Sequence, residues 1–558
     1  MYIQGLANFI DDFLGGLMLI SYALMVGGMI WCALILRIWQ SGHQLQDRRE
    51  ATILSIQLIR LGAMSLAAMQ GTKIMTKALL LTSALGELPL MAYASTVQFQ
   101  AGVLRIALSL ALLPLTRRLL NNCQDWSAWK YAIALMVPMV ISGAWLVHAV
   151  GRFEDKAPLM LLTIIHQLGA AAWFGGVAQL LYLWVRSTSS PEIASFWSVA
   201  IVRFGWVGVA SVSLLIATGI PLSLAYIGSV DGLFGTGYGS LVVTKALMML
   251  MALFLAWRNH KAGKEWRELG HSIAMTKRIP FYIEAETFIL IGILFVAATL
   301  SSQPPSVDIT DTTATVSEVA HMFTPNWPKI TSPSHEQLMA GEAGRVAVVN
   351  KIPSLAATEW SDYNHNVSGL FLTSMSLVAM LSYFVKWRWT RYWPLGFIGL
   401  SLFLFFRSDA ETWPLGPIGF WESTFGNGEV FQHRIATLLT FALGSLELRA
   451  RTRNSARNLR FMFPILSAFG GVLLLTHAHA EFELKSEFLI QTTHTTMGLL
   501  SVIIAAGRWL ELRLATTEQH TVHAQAASDH VGQVAGFISA TAMLLIGLLL
   551  MFYREPLF

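Results

Sequence analysis

The sequence predicts an all-α, polytopic integral membrane protein of about 14 transmembrane helices in two bundles. Three observations carry that prediction. Apolar stretches close to the ~20 residues that a spanning helix needs recur from Leu14 almost to Phe552. Of 558 residues, 54% are hydrophobic and only 13% charged, whereas a soluble domain carries about 25% charge. The mean hydropathy is +0.55. A soluble enzyme is thereby excluded. Only 2 Cys occur, Cys32 in an apolar run and Cys123 in a basic loop, so no disulfide framework or CxxC site is available. The net charge of +5 is explained by basic residues acting as topology determinants, not by nucleic-acid binding.

Taken in order, the apolar runs fall at residues 14–36, 57–81, 101–116, 131–150, 159–184, 204–227, 240–257 and 281–301. These eight spans define a first bundle over residues 1–302. Asp11 and Asp12 precede the first run, which has no basic leader, so it is read as a retained helix and not as a cleaved signal. Residues 303–364, with Pro304, Pro305, Pro325, Pro328, Pro333 and Pro353 among Ser and Thr, are read as an extracytoplasmic loop with little helical periodicity. Six more runs, at 366–385, 393–406, 431–448, 461–476, 491–510 and 533–552, make a second bundle over residues 365–558. Basic residues crowd alternate loops: Arg37, Arg48 and Arg49; Arg117 and Arg118; Arg258, Lys261, Lys264, Arg267, Lys277 and Arg278; Lys386, Arg388 and Arg391; Arg449, Arg451, Arg453, Arg457 and Arg460. Lys and Arg are retained on the cytoplasmic side. With an even span count, both termini are therefore expected outside the cytoplasm.

That topology sorts the 15 His. His43, His260, His271, His520, His523 and His530 fall in cytoplasmic loops and read as solvated. His148, His166, His365, His433, His477, His479 and His494 lie within or at the outer ends of spans, where ionisable groups are costly and usually face a functional interior. His365 opens the ninth span, His433 the eleventh, His477 and His479 close the twelfth, and His494 lies early in the thirteenth, all at a similar outer depth. Imidazole suits copper, zinc and haem iron. His477 and His479, two apart, do not share a helix face. Asp409, Glu411, Glu481 and Glu483 stand at the same level, where the solvated rim is preferred over a role orienting the imidazoles. His166 lies deeper in the fifth span, ahead of Gly169, Ala170, Ala171, Ala172, Gly175 and Gly176, small residues that let another helix approach. Lys245 is buried in the seventh span and needs a partner or a water path. The 23 Met form no ladder and read mostly as packing; His321 with Met322, and His335 with Met339, catch a soft cation only if the outer loop is locally helical. No GxxxxGK[ST] loop and no nucleotide domain occur, so no catalytic residue is assigned and ATP-driven transport within the chain is not expected.

The run from Arg203 to His260 resembles the bacterial copper resistance protein D (CopD) family. The matching positions are Arg203 and Phe204, Thr218 and Gly219, Gly228, Tyr238 and Gly239, Lys245 and Asn259. The stretch IIHQLGAAAWFGG, with His166, Trp173, Gly175 and Gly176, resembles the same family. Extended members are resembled in the second half, through Trp360, Ser361, Asn364 and His365, RSDAETWPLGPIGFWES, His433 in QHR, His477 and His479 in THAHA, His494 in THTTMG, and Arg508 in RWLELR. The resemblance implies an inner-membrane protein of copper handling, importing copper from the periplasm or supporting resistance, with a separate periplasmic copper carrier as partner. It leaves direction, oxidation state (Cu(I) or Cu(II)) and ligands open.

Three functions are carried forward. In the first, a copper permease, His365, His433, His477, His479 and His494 capture the ion and His166 forms a deeper relay. In the second, transmembrane His pairs hold haem b axially for electron transfer, for instance His433 or His477 facing His494. In the third, a structural or sensory scaffold, the same His are packing groups. Imidazole must be neutral to ligate, and its ordinary pKa lies near 6.5, so copper capture is expected to weaken below about pH 6.

Overall fold

The computed structural model describes residues 2–40, 48–151, 155–270, 272–342, 354–385, 387–476, 485–517 and 525–556. It is all-α, and twelve helices among the described residues are long and apolar enough to cross a membrane. The chain divides into two compact units. One holds residues 10–228 and 245–307; the other holds residues 1–9, 229–244 and 308–558.

The first unit takes α1 (Tyr2–Tyr22) from residue 10 onward, and the helix continues through two π-helical turns, Ala23–Gly27 and Cys32–Leu36, to complete a span. There follow α2 (Arg49–Leu85), α3 (Val97–Asn121), α4 (Trp126–Gly143), α5 (Lys156–Ser187), α6 (Pro191–Ile227), α7 (Gly237–Leu269) and α8 (Ile279–Leu300). Side-chain caps start several of them: Thr96 accepts from the Phe99 amide, Asp125 from Ala128 and Ser190 from Ile193. The small-residue stripe on α5 does what its composition suggests. A Cβ on Gly175 would stand 2.3 Å from the Ala23 carbonyl oxygen and 2.7 Å from the Gly27 Cα. Only glycine lets the π-helical stretch and α5 meet backbone to backbone.

In the second unit, α9 (Val316–Met322) and α10 (His335–Glu342) precede α11 (Leu355–Phe384), α12 (Leu395–Arg407), α13 (Phe420–Gly426), α14 (Gly428–Thr452), α15 (Met462–Leu475), α16 (Lys485–Thr517) and α17 (Gln525–Met551). Its core includes Leu372, Met375, Phe397, Phe463, Met497 and Met543. Two expected spans differ from the sequence reading. The run at 393–406 folds as α12 with 13 residues, shorter than a crossing needs. The run at 431–448 lies in α14, whose apolar face is interrupted by Gln432, His433, Arg434 and Glu447, and neither is among the twelve.

The interval read as loop also carries more structure than its Pro content suggested. Thr315 and Glu318 form a capping box on α9. The Ser354 hydroxyl caps α11, so the ninth span starts at Leu355, about three turns before the apolar run announces it. At the other end of the bundle Glu447, with no exposed surface, accepts from Arg451 Nε at 2.7 Å and Arg508 Nη2 at 2.8 Å. Arg508 Nη1 also reaches Glu511, 2.6 Å away, which accepts from the Tyr383 hydroxyl at 2.9 Å. This neutral network of two acids and two guanidinium groups joins α11, α14 and α16.

Candidate functional site

In the second unit the structure brings His365 and His494 together. Each lies about 15 Å along its helix from the start, His365 in α11 and His494 in α16. Their ring centroids are 6.3 Å apart with planes at 75°. The His365 Nδ1 sits 2.9 Å from the Ser361 carbonyl, and the His494 Nδ1 3.1 Å from the Ile490 carbonyl, one helical turn back in each case. A carbonyl only accepts, so both Nδ1 atoms carry the proton and Nε2 is left as the lone-pair nitrogen. That is the tautomer a metal ligand needs, fixed by a partner behind it. Two imidazoles on opposite sides of one ion, with bonds of about 2.0 Å, hold their centroids roughly 6 Å apart.

The surroundings of His365 come from distant parts of the chain. The buried Tyr553 ring lies 4.5 Å from the His365 ring. The Ser361 hydroxyl, 3.3 Å from His365 Nδ1, donates to Glu555 at 2.7 Å. Asn366, fully buried, anchors this segment by donating to the Leu550 and Tyr553 carbonyls at 3.1 and 2.9 Å. Trp360 and Asn364 both donate to the Arg407 carbonyl, at 3.1 and 2.8 Å, and so position α11 against the end of α12.

His433 is placed differently. Its Nδ1 lies 2.8 Å from Asp409 Oδ1, and Asp409 also accepts from the Ser408 hydroxyl at 2.8 Å. Asp409 is therefore an orienting partner and not a solvated rim residue. Burial works against its charge, but the facing imidazole and the hydroxyl hold the carboxyl below the ordinary range. His477 and His479, with Glu481 and Glu483, lie outside the described residues. Among the described residues no three His, Cys, Asp or Glu side chains converge as a metal-holding group. In the outer segment, His321 and Met322 lie on α9 and His335 and Met339 on α10. Their surroundings are structural: Met322 is buried against Phe488, Leu489 and Tyr553, and His335 Nε2 meets the Ala410 carbonyl at 2.9 Å.

In the first unit, His166 Nδ1 lies 2.9 Å from Thr218 Oγ1. That hydroxyl donates to the Leu214 carbonyl at 2.6 Å, so it accepts from the imidazole, and the lone pair of His166 is again on Nε2. The Lys245 ammonium acts electrostatically on the same ring. Gly219 makes room for it, since a Cβ there would be 3.3 Å from His166 Cε1. His148 Nε2, also singled out by depth, is 3.3 Å from the Leu300 carbonyl. A residue the sequence reading passed over stands further along: Glu286 on α8, 2% exposed. It accepts from Trp173 Nε1 and from Asn259 Nδ2, each at 2.9 Å. An acid five residues inside an apolar run was the signal that could have found it.

A chain of many apolar helices, with imidazoles held at depth by neutral partners, defines a polytopic membrane protein whose polar chemistry is built inside the bundles. Residues 198–300 match the model of the copper resistance protein D (CopD) family. The chain is 25% identical over 199 residues to the copper transport protein CutJ of Bacillus subtilis (strain 168). That match covers 36% of this chain and spans about a third, 35%, of the relative's length. No solved structure matches.

Proposed function

We propose that the protein is a copper permease of the bacterial inner membrane that takes copper from the periplasmic side. The observation that carries this reading is the His365–His494 pair, two imidazoles 6.3 Å apart with their Nδ1 protons tied to backbone carbonyls. Copper is the cargo. His365 and His494 supply its first two nitrogen ligands. His433, oriented by Asp409, offers a further imidazole, and His477 and His479 remain expected ligands on the same outer level. His166 serves as a deeper station in the first unit, at a cost set by the Lys245 ammonium, which repels a cation. The partial likeness to a copper transport protein supports the same class of cargo. In this reading both termini face the periplasm, and a soluble copper carrier there delivers the ion. The chain acts by transport and performs no covalent chemistry on its cargo.

A second reading rests on the same pair, because two imidazole rings with centroids about 6 Å apart also suit axial ligation of a haem b iron. One preparation separates the two. Protein purified in mild detergent is examined by a reduced-minus-oxidised visible spectrum, with copper and iron quantified on the same sample. A colourless sample that takes up copper, and moves it into vesicles, supports the permease. A Soret band with stoichiometric iron overturns it in favour of electron transfer.

A further inference from the structure

The geometry points to Glu286 as a proton-binding site within the membrane, through which the transport proposed above is coupled to protons. The inference rests on that transport reading for its purpose, but not for its chemistry.

Glu286 is the eighth residue of α8, about 10 Å from the start of that 22-residue span. It is 2% exposed. Both carboxyl oxygens are engaged by neutral groups: Oε1 accepts from the Trp173 indole on α5, and Oε2 from the Asn259 amide on α7, at 2.9 Å each. The titratable groups on the elements around it include Glu284 of α8 itself, 7% exposed and two residues before Glu286, and His260 of α7, whose ring lies 6.2 Å from that of Trp206. On α7, the Arg258 guanidinium lies 5.9 Å from the Tyr282 ring, one turn before Glu286. On α5, His166 is two turns before Trp173 and is held by Thr218. Lys277 and Arg278 precede α8, and Asp12 of α1 belongs to the opposite end, near Ser302. Among the described residues no cation forms an ion pair with Glu286. A carboxylate at membrane depth without a counter-charge is strongly disfavoured, so the group rests as the neutral acid or must be reached by a mobile cation.

Asn259 makes both states of the acid tenable. Its amide is 2.9 Å from Oε2, and its own Oδ1 is buried without a hydrogen-bond partner. With Nδ2 toward Glu286, the amide donates to the carboxylate. Rotated by 180°, it presents Oδ1 at the same place and accepts the O–H of the carboxylic acid. The proton on Oε2 is thus held in one amide orientation and, once it leaves as H⁺ to water, the carboxylate is held in the other. The Trp173 indole, which can only donate, keeps Oε1 fixed in both. A purely structural acid would need one of these arrangements, not a partner able to serve both.

The test uses the full chain in liposomes, in wild type, Glu286→Gln and Glu286→Asp. Gln is close in shape to the neutral acid but carries no exchangeable proton of this kind. Infrared difference spectra across pH are expected to show a carboxylic-acid carbonyl band in wild type, absent in E286Q and shifted in E286D. Cu(I) flux under an imposed pH gradient is expected to change at least threefold in wild type. In E286Q flux should persist without that gradient response. E286Q with wild-type gradient sensitivity overturns the inference, as does a wild type without an E286Q-sensitive acid band. An acid band bleached by Cu(I) in wild type, with no response to the gradient, assigns Glu286 to the cation and also overturns it. If no variant moves copper at all, the transport reading fails while the infrared arm still decides the proton site, with E286D deciding it if E286Q does not fold.

Discussion

Replacing His365 and His494 by alanine, singly and together, tests whether they share one ion. The rings lie 6.3 Å apart, and each Nδ1 is fixed by the carbonyl one turn back. Loss of a partner behind a ligand costs 10–100-fold in metal affinity. Loss of the ligand itself is therefore expected to cost at least about 100-fold, or about 2.7 kcal/mol. If both nitrogens bind the same ion, the second deletion removes little that the first has not already removed. The coupling in the double-mutant cycle should then approach the single effect, at the upper end of the 0.5–3 kcal/mol found for contacting residues. The assay is Cu(I) competition against a chromophoric chelator on detergent-purified protein. Two mild, additive single effects would refute the reasoning, because independent sites add within about 0.5 kcal/mol.

Three further outcomes are expected. Gly175→Val places a side chain against the Ala23 carbonyl and the Gly27 Cα, backbone atoms that cannot swing aside; it should destabilise by about 1–3 kcal/mol in thermal unfolding, and an unchanged midpoint would remove the close crossing from the account. Glu447→Gln leaves the Arg451 and Arg508 guanidinium groups short of a buried counter-charge and should cost about 3–5 kcal/mol, with Arg508→Met added to E447Q recovering part of the loss; additivity of the two would contradict a shared network. Lys485, 2.6 Å from Glu318, and the Thr315 amide hold the Glu318 carboxyl down at about 2. Its folded value lies below its unfolded one, so the stabilisation is present above about pH 4.5 and is lost as pH falls toward 2. Both side chains are about a third exposed, so the effect is below about 1 kcal/mol. The gap in midpoint between wild type and Lys485→Met should be constant from about pH 8 to 5 and close below about pH 4; a gap that persists at pH 2 would mean the pair is not its source.

The all-α membrane architecture was legible because a spanning helix must be about 20 residues long and apolar, a constraint that shows in the residues themselves. Its failures follow from the same rule. Residues 355–365 are helical but polar, since the start of α11 lies outside the apolar run, so His365 looked like a helix opener when it is three turns inside. α14 carries Arg434 and Glu447 on an apolar background because those charges are satisfied by other helices and by the 412–424 segment. The imidazoles were singled out by depth, yet their partners were not. Thr218 is 52 positions from His166, and Tyr553 and Glu555 are nearly two hundred from His365 and Ser361. No periodicity connects such positions, and only packing reveals them. Asp409 was read as rim because exposed acids at membrane borders are common; its approach to His433 is set by the loop between α12 and α14.

The contrast among the buried acids argues most directly for treating Glu286 as functional. Glu447, with no exposure, has two guanidinium partners. Asp362, also buried, faces Lys329 at 3.2 Å and Arg554 at 3.9 Å, and accepts from the Glu555 amide. Asp11, only partly buried, pairs with Lys73 at 2.9 Å. Even the buried Arg105 rests over the Tyr22 ring, 5.3 Å from its centroid. In each case the fold supplies a charge or a π-face to the charge it buries. Glu286 receives two neutral donors instead, one rigid and one reversible by rotation. Such a setting rests as the neutral acid yet offers donors to the carboxylate when the proton leaves, which is what a site that must release and regain a proton requires and what a structural anchor does not.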